Sequence, residues 1–182
     1  MSRFRVHVLA AALGVAASAG AAAQVMSKGE YQSAKDSIAA ELTSARADCQ
    51  SLSANAKDIC TAKAGGRDKV AKADLEARYK PSENAHYELR LARADSNYRV
   101  AIEICDDSAG NVKDVCVKEA KAAEVAAKAD AKTRLKSAEA RNEGSSAKRD
   151  ADYAVAKERC DSFAGAAKSN CMNDAKARFG KS

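Results

Sequence analysis

The sequence has few of the bulky and ring-bearing residues from which thick protein cores are built. It contains no tryptophan, one proline and 4% aromatic residues over its 182 residues. Alanine is the commonest residue instead, and Lys, Arg and Glu, which also favour helices, supply much of the remainder. Large apolar residues are too few for a core of helices packed on a sheet. The composition therefore argues against β and α/β folds and predicts an all-α protein of thin, close-packed helices.

Residues that carry catalysis or bind metals are also scarce. His7 and His86 are the two histidines, and they lie far apart in the sequence. The cysteines show no C-x2-C spacing, and Gly65-Gly66 lacks the G-K-[ST] signature of a phosphate-binding loop. We therefore predict no catalytic, cofactor-binding or metal-binding residues, no cofactor, and a protein that is not an enzyme.

The amino terminus has the three-part pattern of a secretory signal peptide. Arg3 and Arg5 precede an uncharged run over residues 6–17, and three alanines ending at Ala23 fit a cleavage site. We expect residues 1–23 to be removed in the periplasm, which lowers the formal net charge from +6 to +4. The alternative is an uncleaved membrane anchor, which the weakly hydrophobic composition of the run disfavours. We expect no stable membrane insertion after cleavage.

The six cysteines form three pairs that share one spacing. The second cysteine of each pair stands 11 positions after the first, and the pairs recur at shifts of 56 and then 55 positions. The intervening sequences are also alike, and read CQSLSANAKDIC, CDDSAGNVKDVC and CDSFAGAAKSNC. The chain therefore contains three copies of one supersecondary unit, over residues 24–81, 82–142 and a truncated 143–182. The cysteines are Cys49, Cys60, Cys105, Cys116, Cys160 and Cys171.

An even number of cysteines in an exported chain indicates disulfide bonds. Fifteen pairings are open to six cysteines, and the repeat favours the pairing within each unit. Gly110 and Gly165 lie near the middle of their segments, where a first helix is predicted to end. Asn55 and Asn111 are then predicted to cap the second helix, so that the two cysteines face each other across an antiparallel hairpin. The alternative is one unbroken helix, which would separate the cysteines by roughly 16 Å and prevent pairing.

Apolar stripes with alternating spacings of three and four residues support the helices. Pro81 is predicted to break the chain between the first two units, and residues 142–146 to break it before the third. We thus expect three disulfide-stapled helical hairpins, elongated or loosely bundled, with partial disorder as the alternative. The six predicted helices span about 28–52, 56–79, 83–108, 112–141, 146–163 and 167–179.

Two residue types are candidates for binding. The tyrosines are more typical of helix interfaces than of a binding stripe. The lysines are interleaved with acids, which is typical of a solvated helix face and argues against nucleic acid as a partner. The five tyrosines are Tyr31, Tyr79, Tyr87, Tyr98 and Tyr153.

Residues 105–124, CDDSAGNVKDVCVKEAKAAE, and residues 79–101, which include YKPSENAHYELR, carry a resemblance to a family. The chain resembles uncharacterised, exported, alanine-rich proteins of Gram-negative bacteria that repeat a C-x10-C unit, some of them labelled TolA-like or cell-envelope biogenesis proteins. TolA itself has a membrane anchor and a globular carboxy-terminal domain, which this sequence does not predict. The resemblance implies a place at the cell envelope, and no functional residue follows from it.

The sequence as a whole predicts a non-enzymatic periplasmic repeat protein with a structural or interaction role at the cell envelope. Its partner would be an unknown protein or an envelope polymer, and self-association stays open. The alternatives are a periplasmic holdase-type stress chaperone and an electrostatic binder of anionic envelope polymers.

Overall fold

The computed structural model describes residues 26–181, and 88% of them lie in five helices. The described part contains no strand, so the prediction of an all-α fold is confirmed. The predicted signal peptide, residues 1–23, lies outside the described residues. The helices are α1 (Lys28–Gln50), α2 (Ala54–Tyr79), α3 (Glu83–Cys105), α4 (Gly110–Cys160) and α5 (Gly165–Phe179).

Each helix packs on the helix that precedes or follows it in the chain, and within residues 26–181 on no other. Hairpin 1 consists of α1 and α2, hairpin 2 of α3 and residues 110–138 of α4, and hairpin 3 of residues 150–160 of α4 with α5. Contacts between α2 and α3 join hairpins 1 and 2. The helices therefore form an open series, in which α4 belongs to two hairpins.

The predicted break at residues 142–146 is wrong, because α4 continues through them. Gly144 in the middle of a helix costs about 1 kcal/mol relative to alanine, which is too little to end a helix flanked by strong helix formers. The expected boundary between residues 142 and 143 therefore falls inside α4, and the fourth and fifth predicted helices are one helix of 51 residues.

The break between α2 and α3 shows what the equivalent positions one repeat later lack. Pro81 has no backbone N–H, and Ser82 begins α3 by accepting a hydrogen bond of 3.0 Å from the backbone N–H of Ala85. The corresponding positions one repeat later hold Ser137 and Ala138, within α4. Neither residue is a proline, and alanine is a poor N-cap, so the helix is not interrupted there.

The three hairpin tips share one backbone conformation, in which an extended residue is followed by a left-handed residue that begins the second helix. The two tip glycines therefore start a helix, and the prediction that they end the preceding helix is wrong. The predicted capping role of Asn55 and Asn111 is also wrong, since the N-caps are Ser53 and Ala109 and neither forms a side-chain cap bond. The left-handed residues are Ala54, Gly110 and Gly165, with φ of 49°, 59° and 58°.

The core is thin and is built mostly of alanine and half-cystine. Leu75 is the largest side chain that is fully buried in the described residues, and the first cysteine of each disulfide is buried at least as completely. The disulfides therefore serve as core residues as well as covalent links between helices.

Candidate functional site: hairpin tips and inter-helix grooves

The structure joins the cysteines within each repeat and so closes the tip of every hairpin. The two Cα atoms of each disulfide lie 5.6 Å apart, within the ordinary range for this bond. Three disulfides in a chain of this size indicate an oxidising, extracytoplasmic environment. The pairs are Cys49–Cys60, Cys105–Cys116 and Cys160–Cys171.

An ion pair accompanies the disulfide at two of the three tips. Lys113 Nζ lies 2.9 Å from an Asp106 carboxylate oxygen, and Lys168 Nζ lies 2.8 Å from Asp161. The hydrogen bond from Lys113 to Asp106 raises the pKa of that lysine. In hairpin 1 the position of the aspartate holds Gln50, so the charge pair is specific to tips 2 and 3.

Exposed apolar side chains are concentrated near the tips. Among the described residues, five of the seven exposed large hydrophobic side chains lie within four residues of a disulfide cysteine. The most exposed is Val112 at tip 2 (67%), and Phe163 at tip 3 is half exposed (51%). Backbone held in place by a disulfide thus presents them to solvent. The five are Leu52, Ile104, Val112, Val115 and Phe163.

Asn55 holds tips 1 and 2 side by side. Its side-chain amide donates a hydrogen bond of 2.6 Å to the backbone oxygen of Glu103 and one of 2.8 Å to a carboxylate oxygen of Asp107. One acceptor lies in the last turn of α3 and the other two residues after it, so the residue predicted as a helix cap instead links neighbouring hairpins. Tip 3 lies at the opposite end of α4, about 75 Å away along the helix.

A groove runs between the two helices of hairpin 1 and recurs in hairpin 2. Groove 1 has a volume of about 300 Å³ and groove 2 about 160 Å³. Every residue that lines groove 2 has its counterpart, 56 positions earlier, in the lining of groove 1. On the second helix each groove has an inward-facing carboxylate, Asp68 or Glu124, with Lys72 or Lys128 four residues later.

In hairpin 2 this carboxylate is saturated by lysines of its own chain. Glu124 is 6% exposed and lies 2.7 Å from both Lys121 Nζ and Lys128 Nζ. Lys128 also pairs with Asp95 of α3 at 2.6 Å, which joins the two helices. Hydrogen bonds from Lys121 and then Lys128 lower the pKa of Glu124 to about 2. The pKa of Lys128 is raised in turn, chiefly by Asp95.

In hairpin 3 an aromatic contact takes the place of the charged cluster. Phe179 stands where Glu124 stands one repeat earlier, and its ring lies 6.1 Å from that of Tyr153. At the open end of hairpin 1, Tyr31 stacks on Tyr79 with ring centroids 4.2 Å apart. The Tyr31 hydroxyl donates to Glu76, a bond that raises the pKa of the tyrosine. These tyrosines lie at helix contacts, where their rings join paired helices.

The remaining sequence candidates are not gathered into a site. His86 is exposed on α3, and residues 26–181 contain no group of three or more side chains suited to hold a metal ion. None of the helices in this part of the chain is long and apolar enough to cross a membrane. No protein-family model, curated protein or solved structure matches the chain.

Sequence reasoning overlooked the groove carboxylates. Their signal is nonetheless present in the repeat, since Asp68 and Lys72 align with Glu124 and Lys128 when the first unit is superposed on the second. Read alone, each pair is indistinguishable from the many surface pairs with this spacing on helices. Only the packing of two helices shows that these carboxylates face inward.

Proposed function

We propose that the protein is an exported, non-enzymatic interaction module of the cell envelope, which binds a partner protein through its disulfide-closed hairpin tips. The observation that carries the proposal is the concentration of exposed apolar side chains at those tips. A rigid backbone lowers the entropy lost when an exposed side chain is ordered at an interface. The disulfides therefore favour the tips as contact points over the rest of the surface.

The placement of the tips at both ends of α4 supports a bridging role. Tips 1 and 2 lie at its amino-terminal end and tip 3 at its carboxy-terminal end. Between the hairpins, residues 139–149 are exposed on every face of the helix. A helix that is polar all round is typical of a solvent-bridging connection between packed parts. This spacer, about 16 Å long, keeps hairpin 3 apart from hairpins 1 and 2.

The periplasmic location rests on two features that support each other. Residues 1–23 have the pattern of a secretory signal peptide, and the three disulfides fit an oxidising compartment. The resemblance to exported, alanine-rich envelope proteins is in keeping with this location.

Site-directed photo-crosslinking tests the proposal. A photoreactive residue is placed at Val112, at Phe163 or, as the control, at the exposed spacer residue Asn142, and the oxidised protein is irradiated in an envelope extract. We expect discrete adducts from the tip positions and none from Asn142. Removal of the second disulfide by C105S/C116S should abolish the adduct from Val112 and preserve that from Phe163. Identical adduct patterns at all three positions would contradict tip-directed binding.

The exposed apolar side chains also favour a second candidate, a holdase chaperone. A holdase covers many unfolded clients and would give a broad distribution of adducts in place of discrete bands. It would also suppress aggregation of a reduced client protein at near-stoichiometric ratio. Discrete adducts without protection of the client exclude the holdase. A broad distribution of adducts together with protection of the client excludes the specific partner.

A further inference from the structure

The position of the groove carboxylate has a different side-chain partner in hairpin 2 and in hairpin 3. In hairpin 2 the Lys121 ammonium bonds to Glu124 at 2.7 Å and lies 5.1 Å from the centre of the Tyr98 ring. Both of these partners line groove 2, so an ammonium group of the protein itself sits against the groove. In hairpin 3 the carboxylate is replaced by Phe179, which packs on Tyr153. Hairpins 2 and 3 thus each supply a partner of their own chain at this position.

Hairpin 1 has the groove and its carboxylate but lacks the lysine that bonds to that carboxylate in hairpin 2. The position of Lys121 is taken by Gly65, where even an added Cβ would meet no atom within 4 Å. Leu42 replaces Tyr98, and groove 1 is accordingly larger than groove 2, at about 300 Å³ against 160 Å³. The space that a lysine side chain covers in hairpin 2 is open to a ligand in hairpin 1.

The lining of groove 1 specifies the chemistry of that ligand. Asp68 is 11% exposed and pairs within the described residues with Lys72, whereas Glu124 has two lysine partners. The equivalent carboxylate of hairpin 2 bonds to two ammonium groups, and charge-assisted hydrogen bonds of this kind are stronger than neutral ones. Ile38 and Leu42 supply apolar walls on α1. The groove therefore combines one anionic contact with a short apolar surface.

Other charged residues around groove 1 also favour a cation. Glu41 and Asp48 are exposed at its edge on α1, against one cation on α2, Arg67. A ligand that reaches the inner carboxylate thus passes a predominantly acidic rim, which attracts positive charge.

We propose that groove 1 binds a small primary alkylamine, with its ammonium group on Asp68 and its alkyl chain along Ile38 and Leu42. The ammonium takes the place that the Lys121 ammonium occupies in hairpin 2. The binding is reversible and involves no covalent step. The proposal is independent of partner binding at the tips, because none of the residues that line groove 1 is one of the five exposed apolar tip residues.

Pentylamine and the neutral 1-pentanol are the probes, titrated into the oxidised mature protein and followed by amide chemical shifts. We expect saturable shifts from pentylamine confined to residues of α1 and α2 around groove 1, and weaker, non-saturating shifts from 1-pentanol. Hairpin 2 serves as the internal reference, since its groove should show no saturable shifts.

Three variants separate binding from folding. D68N should weaken pentylamine binding at least tenfold, because it removes the charge that holds the ammonium. D74N, the same substitution in an exposed ion pair of α2, should leave binding unchanged. G65K should also abolish binding, since the new ammonium reaches Asp68 as Lys121 reaches Glu124. Circular dichroism establishes that each variant is folded.

G65K guards against a purely structural explanation, because lysine is a better helix former than glycine and the variant should be at least as stable as the parent. Loss of binding in a stabilised protein therefore indicates occupation of the groove. Equal binding by the parent, D68N and G65K would overturn the proposal. Equal responses to pentylamine and 1-pentanol, or shifts without saturation, would do so as well.

Discussion

Gly66 of α2 lies so close to Ser96 of α3 that a Cβ atom at position 66 would stand 2.1 Å from the serine hydroxyl oxygen and 3.1 Å from its Cβ. This contact joins hairpin 1 to hairpin 2, and Gly66 is buried there. One repeat later the position is held by Ala122, which is exposed on α4. The absence of a side chain at position 66 is therefore what permits two hairpins to pack here.

The adjacent Gly65 supplies a matched control for this contact. G65A should raise the free energy of unfolding by about 1 kcal/mol, since alanine favours the helix and meets no neighbour. G66A has the same helical gain but overpacks the interface, at a cost of about 1–3 kcal/mol. We expect G66A to be less stable than G65A by that amount in urea unfolding, and S96A to recover part of the loss. Equal stability of the two variants would contradict overpacking at position 66.

The tip of hairpin 1 carries strain that the other tips avoid. Ala54 has a φ of 49°, where the equivalent residues are Gly110 and Gly165. For a residue with a side chain this conformation is unfavourable by about 1–2 kcal/mol. A54G should therefore stabilise the protein by about 1 kcal/mol.

The control for this substitution is A56G, two residues further along α2 and also exposed. In ordinary helical geometry the same replacement should destabilise the protein by about 0.5–1 kcal/mol. A rise in melting temperature for A54G together with a fall for A56G supports the assignment of strain to Ala54. Destabilisation by both variants would contradict it.

The ion pairs of Glu124 with Lys121 and Lys128 should make the stability of the folded protein depend on pH. The Glu124 carboxylate has a pKa of about 2 in the folded protein against an ordinary 4.5, chiefly because Lys121 bonds to the ionised form. The lowered pKa stabilises the fold above pH 4.5, and this contribution declines as the pH falls toward 2. E124Q should therefore lose less stability than the parent when the melting temperature is followed over this interval.

E119Q, a change of an exposed glutamate on the same helix, is the matched control for E124Q. It should preserve the steep acid dependence of the parent. If the melting temperatures of E124Q and the parent decline in parallel as the pH falls, the Glu124 carboxylate is not responsible for the acid sensitivity.

The loss of a disulfide should destabilise a larger part of the structure in hairpin 1 than in hairpin 3. In the chain-entropy description each loop of this length contributes roughly 3 kcal/mol. Since α5 contacts α4 and no other helix of the described chain, C160S/C171S should expose α5 to hydrogen exchange and leave hairpins 1 and 2 protected. C49S/C60S should lower protection across both joined hairpins, because α2 also packs on α3. Loss of protection throughout the chain in both variants would contradict this separation.

The repeat made the hairpins predictable, whereas the relation between hairpins depended on contacts outside each repeat. Cysteine spacing was sufficient to favour Cys49 with Cys60, because both residues belong to one tip. The continuity of α4 was not predictable in this way, since Gly144 and its serine neighbours suggest a break. These residues do not interrupt α4, because no proline removes a backbone N–H there as Pro81 does between α2 and α3.

The same reasoning explains why the candidate groove escaped prediction. Asp68 and Lys72 have the spacing of a surface ion pair, and nothing local marks the carboxylate as inward-facing. Its orientation follows from the packing of α1 on α2, and its significance from the difference between Gly65 and Lys121 across two repeats. Comparison of equivalent positions in the two repeats reveals this difference, which the periodicity within one repeat does not.

The spacer of α4 is expected to be the first point of proteolytic attack. Residues 139–149 pack on no neighbouring helix, and the poor helix formers Gly144, Ser145 and Ser146 lie at their centre. Limited trypsin digestion should therefore cut first at Arg141 or Lys148 and release hairpin 3 from hairpins 1 and 2. G144A/S145A/S146A should slow this cleavage about tenfold, because the added helix propensity lowers the population of the open form.

Cleavage at Lys132, which lies on the same helix within hairpin 2, provides the reference rate for this experiment. The triple alanine variant should leave it unchanged, since the packing of α3 on α4 determines the opening of that part of the helix. Slower cleavage at both places would indicate a general effect on the protein. An unchanged rate at Arg141 and Lys148 would show that the spacer opens for a reason other than its weak helix formers.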